Sequence, residues 1–141
     1  MYGWIGHILR VDLSSGSITR EPLDETLAHN FIGGRGINSR ILYNEVLPQT
    51  SPLSSHNTLI FGASPLSGTT APSSPRCTVS AKSPLTGILG DANFGGFFSR
   101  QMKRAGFDHI VITGKAERPV FLHVHDGEAE IQDAAVLWGK N

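Results

Sequence analysis

Between Arg76 and Gly106 the chain reads RCTVSAKSPLTGILGDANFGGFFSRQMKRAG, and this stretch commits it to mixed α and β structure. Arg76 to Ala81 alternates as a strand, and Ser83-Pro84-Leu85-Thr86-Gly87 supplies a turn. A long glycine-bearing turn carrying Asn93, Gly95 and Gly96 is expected next, then a basic amphipathic helix from Phe97 to Ala105. In that helix Phe98, Met102 and Ala105 share one face, while Arg100, Lys103 and Arg104 share the other and read as a solvated face. Backbone free of side chains, followed at once by a helix N-terminus, is a good resting place for a phosphate or another anionic group. The stretch is therefore a candidate anion cradle.

Composition agrees with a folded domain. The 141 residues suffice for one hydrophobic core, and 39% hydrophobic with 17% charged residues argues against disorder. Twelve basic and twelve acidic residues cancel, so no global field draws the chain to nucleic acid or to a membrane. Positive charge is concentrated locally: residues 76–118 hold seven Lys/Arg against three Asp/Glu, on the stretch suspected of meeting an anion. The one cysteine, Cys77, excludes an internal disulfide and any four-thiolate zinc or iron–sulfur site within these residues. It reads as a small buried strand residue. No run approaches a transmembrane length and the N-terminus lacks a signal-peptide pattern, which gives the expectation of a cytoplasmic protein.

Local patterns predict the remaining elements. Ile5 to Leu13 alternates, with Ile5, His7, Leu9, Val11 and Leu13 on one face, and returns through Ser15-Gly16 as a hairpin. Asp24 caps a short helix beginning at Glu25, Gly33-Gly34-Arg35-Gly36 breaks it, and Ile37 to Val46 forms another. GGRG ahead of a helix suits an anion, but glycines also serve ordinary helix corners. A Pro/Ser/Thr-rich loop, residues 47–57, leads into the apolar run Thr58 to Ala63, and His56 in that loop reads as solvated. A rigid small-residue loop then reaches Pro75. His109 to Thr113, Val120 to His125 and Glu128 to Ile131 are predicted strands, with Asp126-Gly127 as a hairpin turn. His123 and His125 share one face, without a third ligand that the sequence places beside them.

These readings stop at a mixed domain with an anion-binding turn. Longer motifs go further. MYGWIGHILRVDLSSG, FIGGRGINSRILYNEV, LIFGASPLSGTTAPSSPR, SAKSPLTG, DANFGGFF, KRAGFDHIVITGKAERPVFLHV and AEIQDAAVLWGK, in this order over essentially the whole chain, resemble the N-terminal domain of aldehyde ferredoxin oxidoreductases. These are tungsten or molybdenum enzymes with a bis-pterin cofactor. The resemblance implies an α+β fold, a saddle of mostly antiparallel sheet with a few short helices, on which the cofactor rests. It implies oxidation of an aldehyde with water to a carboxylic acid, electrons passing through a [4Fe–4S] cluster to ferredoxin. Arg76, Asn93 and Gly95 match family residues that contact the pterin, and the backbone carbonyl of Asn93 matches a ligand of a magnesium ion between the pterin phosphates. Arginine suits an anionic planar ligand, glycine permits close approach, and a carbonyl is a hard ligand fit for magnesium.

The resemblance also implies that residues 1–141 are the metal-pterin-binding N-terminal domain, truncated relative to the family. Cluster cysteines, acid/base residues and further pterin contacts are expected beyond residue 141, so the isolated chain is expected to be inactive and to need remaining domains or subunits. Two alternatives stand beside this reading. One is part of a tungsten aromatic acyl-CoA reductase of the same family; the other is a non-catalytic truncated domain that self-associates into a homo-oligomer. Ser73-Ser74-Pro75 before Arg76, and Cys77 after it, depart from the family's usual small residues and aromatic.

Overall fold

Alternation and a tight turn make the first hairpin, β1 (His7–Asp12) and β2 (Ser17–Pro22), paired antiparallel from His7 opposite Pro22 to Asp12 opposite Ser17. The computed structural model describes residues 2–140. Helix α1 (Glu25–Phe31) starts where the Asp24 carboxylate accepts a hydrogen bond from the Leu27 amide at 2.7 Å, as its sequence predicts. Helix α2 (Arg35–Glu45) buries Ile37, Asn38, Ile41 and Leu42 along one stripe. It begins earlier than expected, so Arg35 and Gly36 lie inside the helix.

Strands β3 (Leu59–Ala63), β4 (Cys77–Lys82), β5 (Leu89–Phe94) and β6 (His109–Thr113) complete a six-stranded sheet in the order β2-β1-β6-β3-β4-β5. Only β1 and β6 run parallel; the other neighbours are antiparallel. Helix α3 (Phe98–Arg104) lies between β5 and β6, and β7 (Val120–His125) with β8 (Glu128–Asp133) forms a separate hairpin. The fold is α+β and mostly antiparallel, as expected. No helix among the described residues is long and apolar enough to cross a membrane.

Three expectations change. The long turn before α3 is mostly strand β5, so Asn93 sits on a strand. LGDANF has little strand propensity of its own; its six-residue ladder with β4, from Cys77 opposite Phe94 to Lys82 opposite Leu89, makes the strand. Strand β1, whose alternation sets one apolar row apart, is covered on both faces, while β2 stays largely exposed. Ile8 joins the cluster under α1 and α2, with Ile37, Ile41, Ile60 and Val111. Leu9 and Val11 join the opposite cluster with Met102, Phe107 and Ile110, roofed by Leu122, Val124 and Ile131 of the second hairpin.

Lys103 is the third. Arg100 and Arg104 are exposed, but Lys103 is buried. Its ammonium donates to the carbonyls of Gly3, Ser64 and Pro65 and lies 3.4 Å from the Asp108 carboxylate. Burial lowers its pKa, and Asp108 partly offsets that. Asp108 also accepts the amides of Ile5 (3.1 Å) and Gly6 (2.7 Å), tying the N-terminal segment to the start of β6. Helical spacing alone places Lys103 with the other cations; the chain folded over it decides otherwise.

The candidate cradle at the β4–β5 edge

Directly opposed residues of an antiparallel pair project from the same sheet face. Thr78 opposes Asn93 and Ser80 opposes Asp91. Continuing that register one step past the ladder sets Arg76 opposite Gly95. The three residues proposed from the sequence are thus brought together at one end of the outermost strand pair. α2 packs over this face: its Asn38 amide donates to Ser80 Oγ and to the Thr78 carbonyl, at 3.0 and 3.2 Å.

Arg76 is exposed, and among the described residues its guanidinium has no ion-pair partner. Its own carbonyl accepts from Ser67 Oγ at 3.4 Å, which fixes the backbone where the small-residue loop enters β4. The Asn93 side chain accepts from Thr78 Oγ1 through Oδ1 at 2.8 Å, leaving its amide N–H groups for another partner. Cys77, beside Arg76, faces inward; burial raises its thiol pKa to about 11, so it is the inert packing residue expected.

Gly95 carries the sharpest signal. Its neighbour Gly96 has φ +87°, which by itself favours glycine. Gly95 has no positive φ, and a Cβ built there meets nothing within 4 Å. Each of the other fifteen glycines has a positive φ or a close neighbour in the chain. The fold itself therefore gives no reason for glycine at 95, and the open space is where an added group would come close.

GGRG behaves differently. The Gly34 amide donates to Ala63 O at 2.9 Å, and the Gly36 amide to Gly33 O at 3.0 Å. Arg35 is held by Asp91, with both Nε and a terminal nitrogen 2.7 Å from its Oδ2. The glycines make a helix corner against β3 and the arginine neutralises a carboxylate next to the cradle. His56 is exposed, as expected. His123 and His125 lie opposite Glu130 and Glu128, with ring centroids 4.7 Å apart. No group of three ligating side chains that could hold a metal occurs among the described residues.

Sequence reading missed Asn38, Thr78 and His109. Asn38 and His109 are fully buried, and His109 Nδ1 lies 2.9 Å from Asn38 Oδ1. Burial pushes the His109 pKa down to about 4. Gly62, opposite His109, is required by this pair, since a Cβ there would overlap Asn38 Oδ1 and sit 2.8 Å from the imidazole. A polar residue between Ile37 and Ile41 on an apolar helix stripe was the available signal.

A groove of about 500 Å³ between Leu42, Val46, Leu47, Ile88 and Leu89, and a pocket of about 430 Å³ between Phe61, Met102, Ile110 and Leu122, lie elsewhere; neither is lined by Arg76, Asn93 or Gly95. The cradle is an open edge rather than an enclosed cavity.

The family model described as "Aldehyde ferredoxin oxidoreductase, N-terminal domain" matches residues 8–141. Tungsten-containing aldehyde ferredoxin oxidoreductases of Pyrococcus furiosus and Pyrococcus abyssi are 48% and 46% identical over 140 residues, covering 99% of this chain and 23% of each relative. Among solved structures, a chain of the active site complex BamBC of benzoyl coenzyme A reductase, in complex with 1,5-dienoyl-CoA, superposes with a TM-score of 0.96 at 39% identity. That match covers 98% of this chain and 21% of the solved one. The chain thus spans about a quarter of the length of the curated relatives it matches.

Proposed function

The chain belongs to the aldehyde ferredoxin oxidoreductase family, and we propose that it forms the metal-pterin-binding N-terminal domain of a tungsten oxidoreductase of that type. Arg76, Asn93 and Gly95 hold the anionic pterin cofactor in this reading. The observation that carries it is Gly95: a glycine unexplained by its own fold, opposite an unpaired arginine and two residues from an asparagine with free amide donors.

The residues fit the group. Arg76 supplies permanent positive charge and planar hydrogen-bond donors, Asn93 supplies neutral donors, and Gly95 lets the backbone approach. β5 is an edge strand, so backbone groups on its outer side have no strand partner, and the Asn93 carbonyl is a suitable hard ligand for magnesium. Held there, the metal–pterin group would supply the two-electron redox chemistry. Residues of this chain bind and orient the cofactor; none is assigned to the chemical step. A single cysteine leaves the [4Fe–4S] cluster, and the route to ferredoxin, to remaining domains or subunits. The 141 residues by themselves are inactive in this scheme, whether tungsten or molybdenum is the metal.

Gly95→Ala and Arg76→Ala in the complete enzyme, purified anaerobically, test the assignment. Both leave the domain's melting temperature within a few degrees of the parent, because neither side chain is packed in the chain. Both lower pterin and tungsten per polypeptide several-fold. Full occupancy in both variants would remove the cradle from Arg76 and Gly95. A second reading, part of an aromatic acyl-CoA reductase, is favoured by the likeness to the benzoyl-CoA reductase complex. Turnover of aldehydes against aromatic acyl-CoA esters by the whole enzyme separates the two.

A further inference from the structure

We propose that Thr78 is a positioning residue for the cradle, its hydroxyl setting the orientation of the Asn93 amide toward an anionic, phosphate-bearing group. This rests on the cofactor-binding reading of Asn93. Thr78 is buried, and its Oγ1 donates to Asn93 Oδ1 at 2.8 Å. An asparagine amide presents an acceptor on one side and two donors on the other. With Oδ1 engaged by Thr78, the Nδ2 donors are turned away from Thr78 and offered to the ligand. The reverse orientation would leave the Thr78 hydroxyl without this acceptor and present a partial negative charge to an anion.

Thr78 is itself held firmly. Its carbonyl accepts from the buried Asn38, and Asn38 is fixed in turn by His109 Nδ1, Ile60 O and Ser80 Oγ. Gly34, at the head of α2, covers the hydroxyl so closely that a Cβ there would lie 3.3 Å from Oγ1. The one carboxylate beside Asn93 on its face, Asp91, is occupied by Arg35 and does not compete for the amide. The core thus reaches the Asn93 side chain through the Thr78 hydroxyl, and that bond decides which side of Asn93 a ligand meets.

The experiment compares Thr78→Val, Thr78→Ser, Asn93→Ala and the double variant Thr78→Val/Asn93→Ala in the complete enzyme. It measures pterin and tungsten per polypeptide and the rate of pterin release in mild denaturant. Thr78→Val is expected to release pterin about five- to tenfold faster than the parent, the effect of one lost hydrogen bond. Thr78→Ser restores the parent rate, and the double variant is no faster than Asn93→Ala alone. Parent-like release from Thr78→Val overturns the proposal, as does a Thr78→Val effect that persists in full without Asn93. If Thr78→Val does not fold, Thr78→Ala carries the same comparison. Loss of pterin from Arg76→Ala and Asn93→Ala but not from Thr78→Val removes Thr78 alone; retention in all of them removes the cradle reading and this proposal together.

Discussion

The inner strands β1, β6 and β3 and the outer pair β4–β5 belong to one sheet but serve opposite ends. The inner strands are covered on both faces, and the polar groups packed there are buried too: His109 meets Asn38 of α2, and Asp108, just before β6, holds Lys103 and the Ile5 and Gly6 amides. The outer pair leaves Leu85 92% and Ile88 70% exposed in its connecting turn, and at the opposite end Phe97 74% exposed, near an exposed Arg76 and a Gly95 with open space beside it. Stability is concentrated in the first region. The second is left exposed, so substitutions should sort into those that unfold the chain and those that cost it little stability.

The largest effect belongs to the inner region. Asp108→Ala strands the Lys103 ammonium and the Ile5 and Gly6 amides, and should cost about 3–5 kcal/mol in chemical denaturation. A loss below about 1 kcal/mol would show that this buried network contributes little.

Acid should act through His109. Its folded pKa, about 4, lies below the ordinary value of 6.5, so the folded state favours the neutral ring. Its contribution is intact above the unfolded pKa and is lost as pH falls from that value toward the folded one. Between pH 7 and pH 5 this group should remove about 2 kcal/mol of stability. Replacement by Gln should flatten that part of the pH profile; an unchanged slope would assign it to other groups.

The smallest effect on stability is expected at the edge. Leu85→Lys with Ile88→Lys should shift unfolding by no more than about 0.5 kcal/mol per site. If the isolated chain self-associates through this exposed apolar edge, the same pair should lower its apparent mass in light scattering. An unchanged mass with unchanged stability would place any self-association elsewhere, and a large stability loss would erase the contrast between the two regions.

Much of the fold was legible locally. The Asp24 cap, the α2 stripe, the first hairpin and the last three strands each carry their signal within a dozen residues, and each stands near where its pattern places it. Arg76, Asn93 and Gly95 came from motif resemblance, and the register of β4 on β5 supplies the reason they lie together on one face. Thr78 escaped notice because a threonine on a strand is ordinary until its hydroxyl is seen to meet Asn93.

The sequence by itself determined the short elements, the family and the inert burial of Cys77, because periodicity, capping and motif order are properties of neighbouring residues. Tertiary structure alone decided that LGDANF is a strand, that β1 is covered on both faces, that Lys103 is buried against loop carbonyls and Asp108, and that Asn38 meets His109. Those outcomes depend on strand pairing and burial between segments up to a hundred residues apart, and such partners leave no mark on local periodicity.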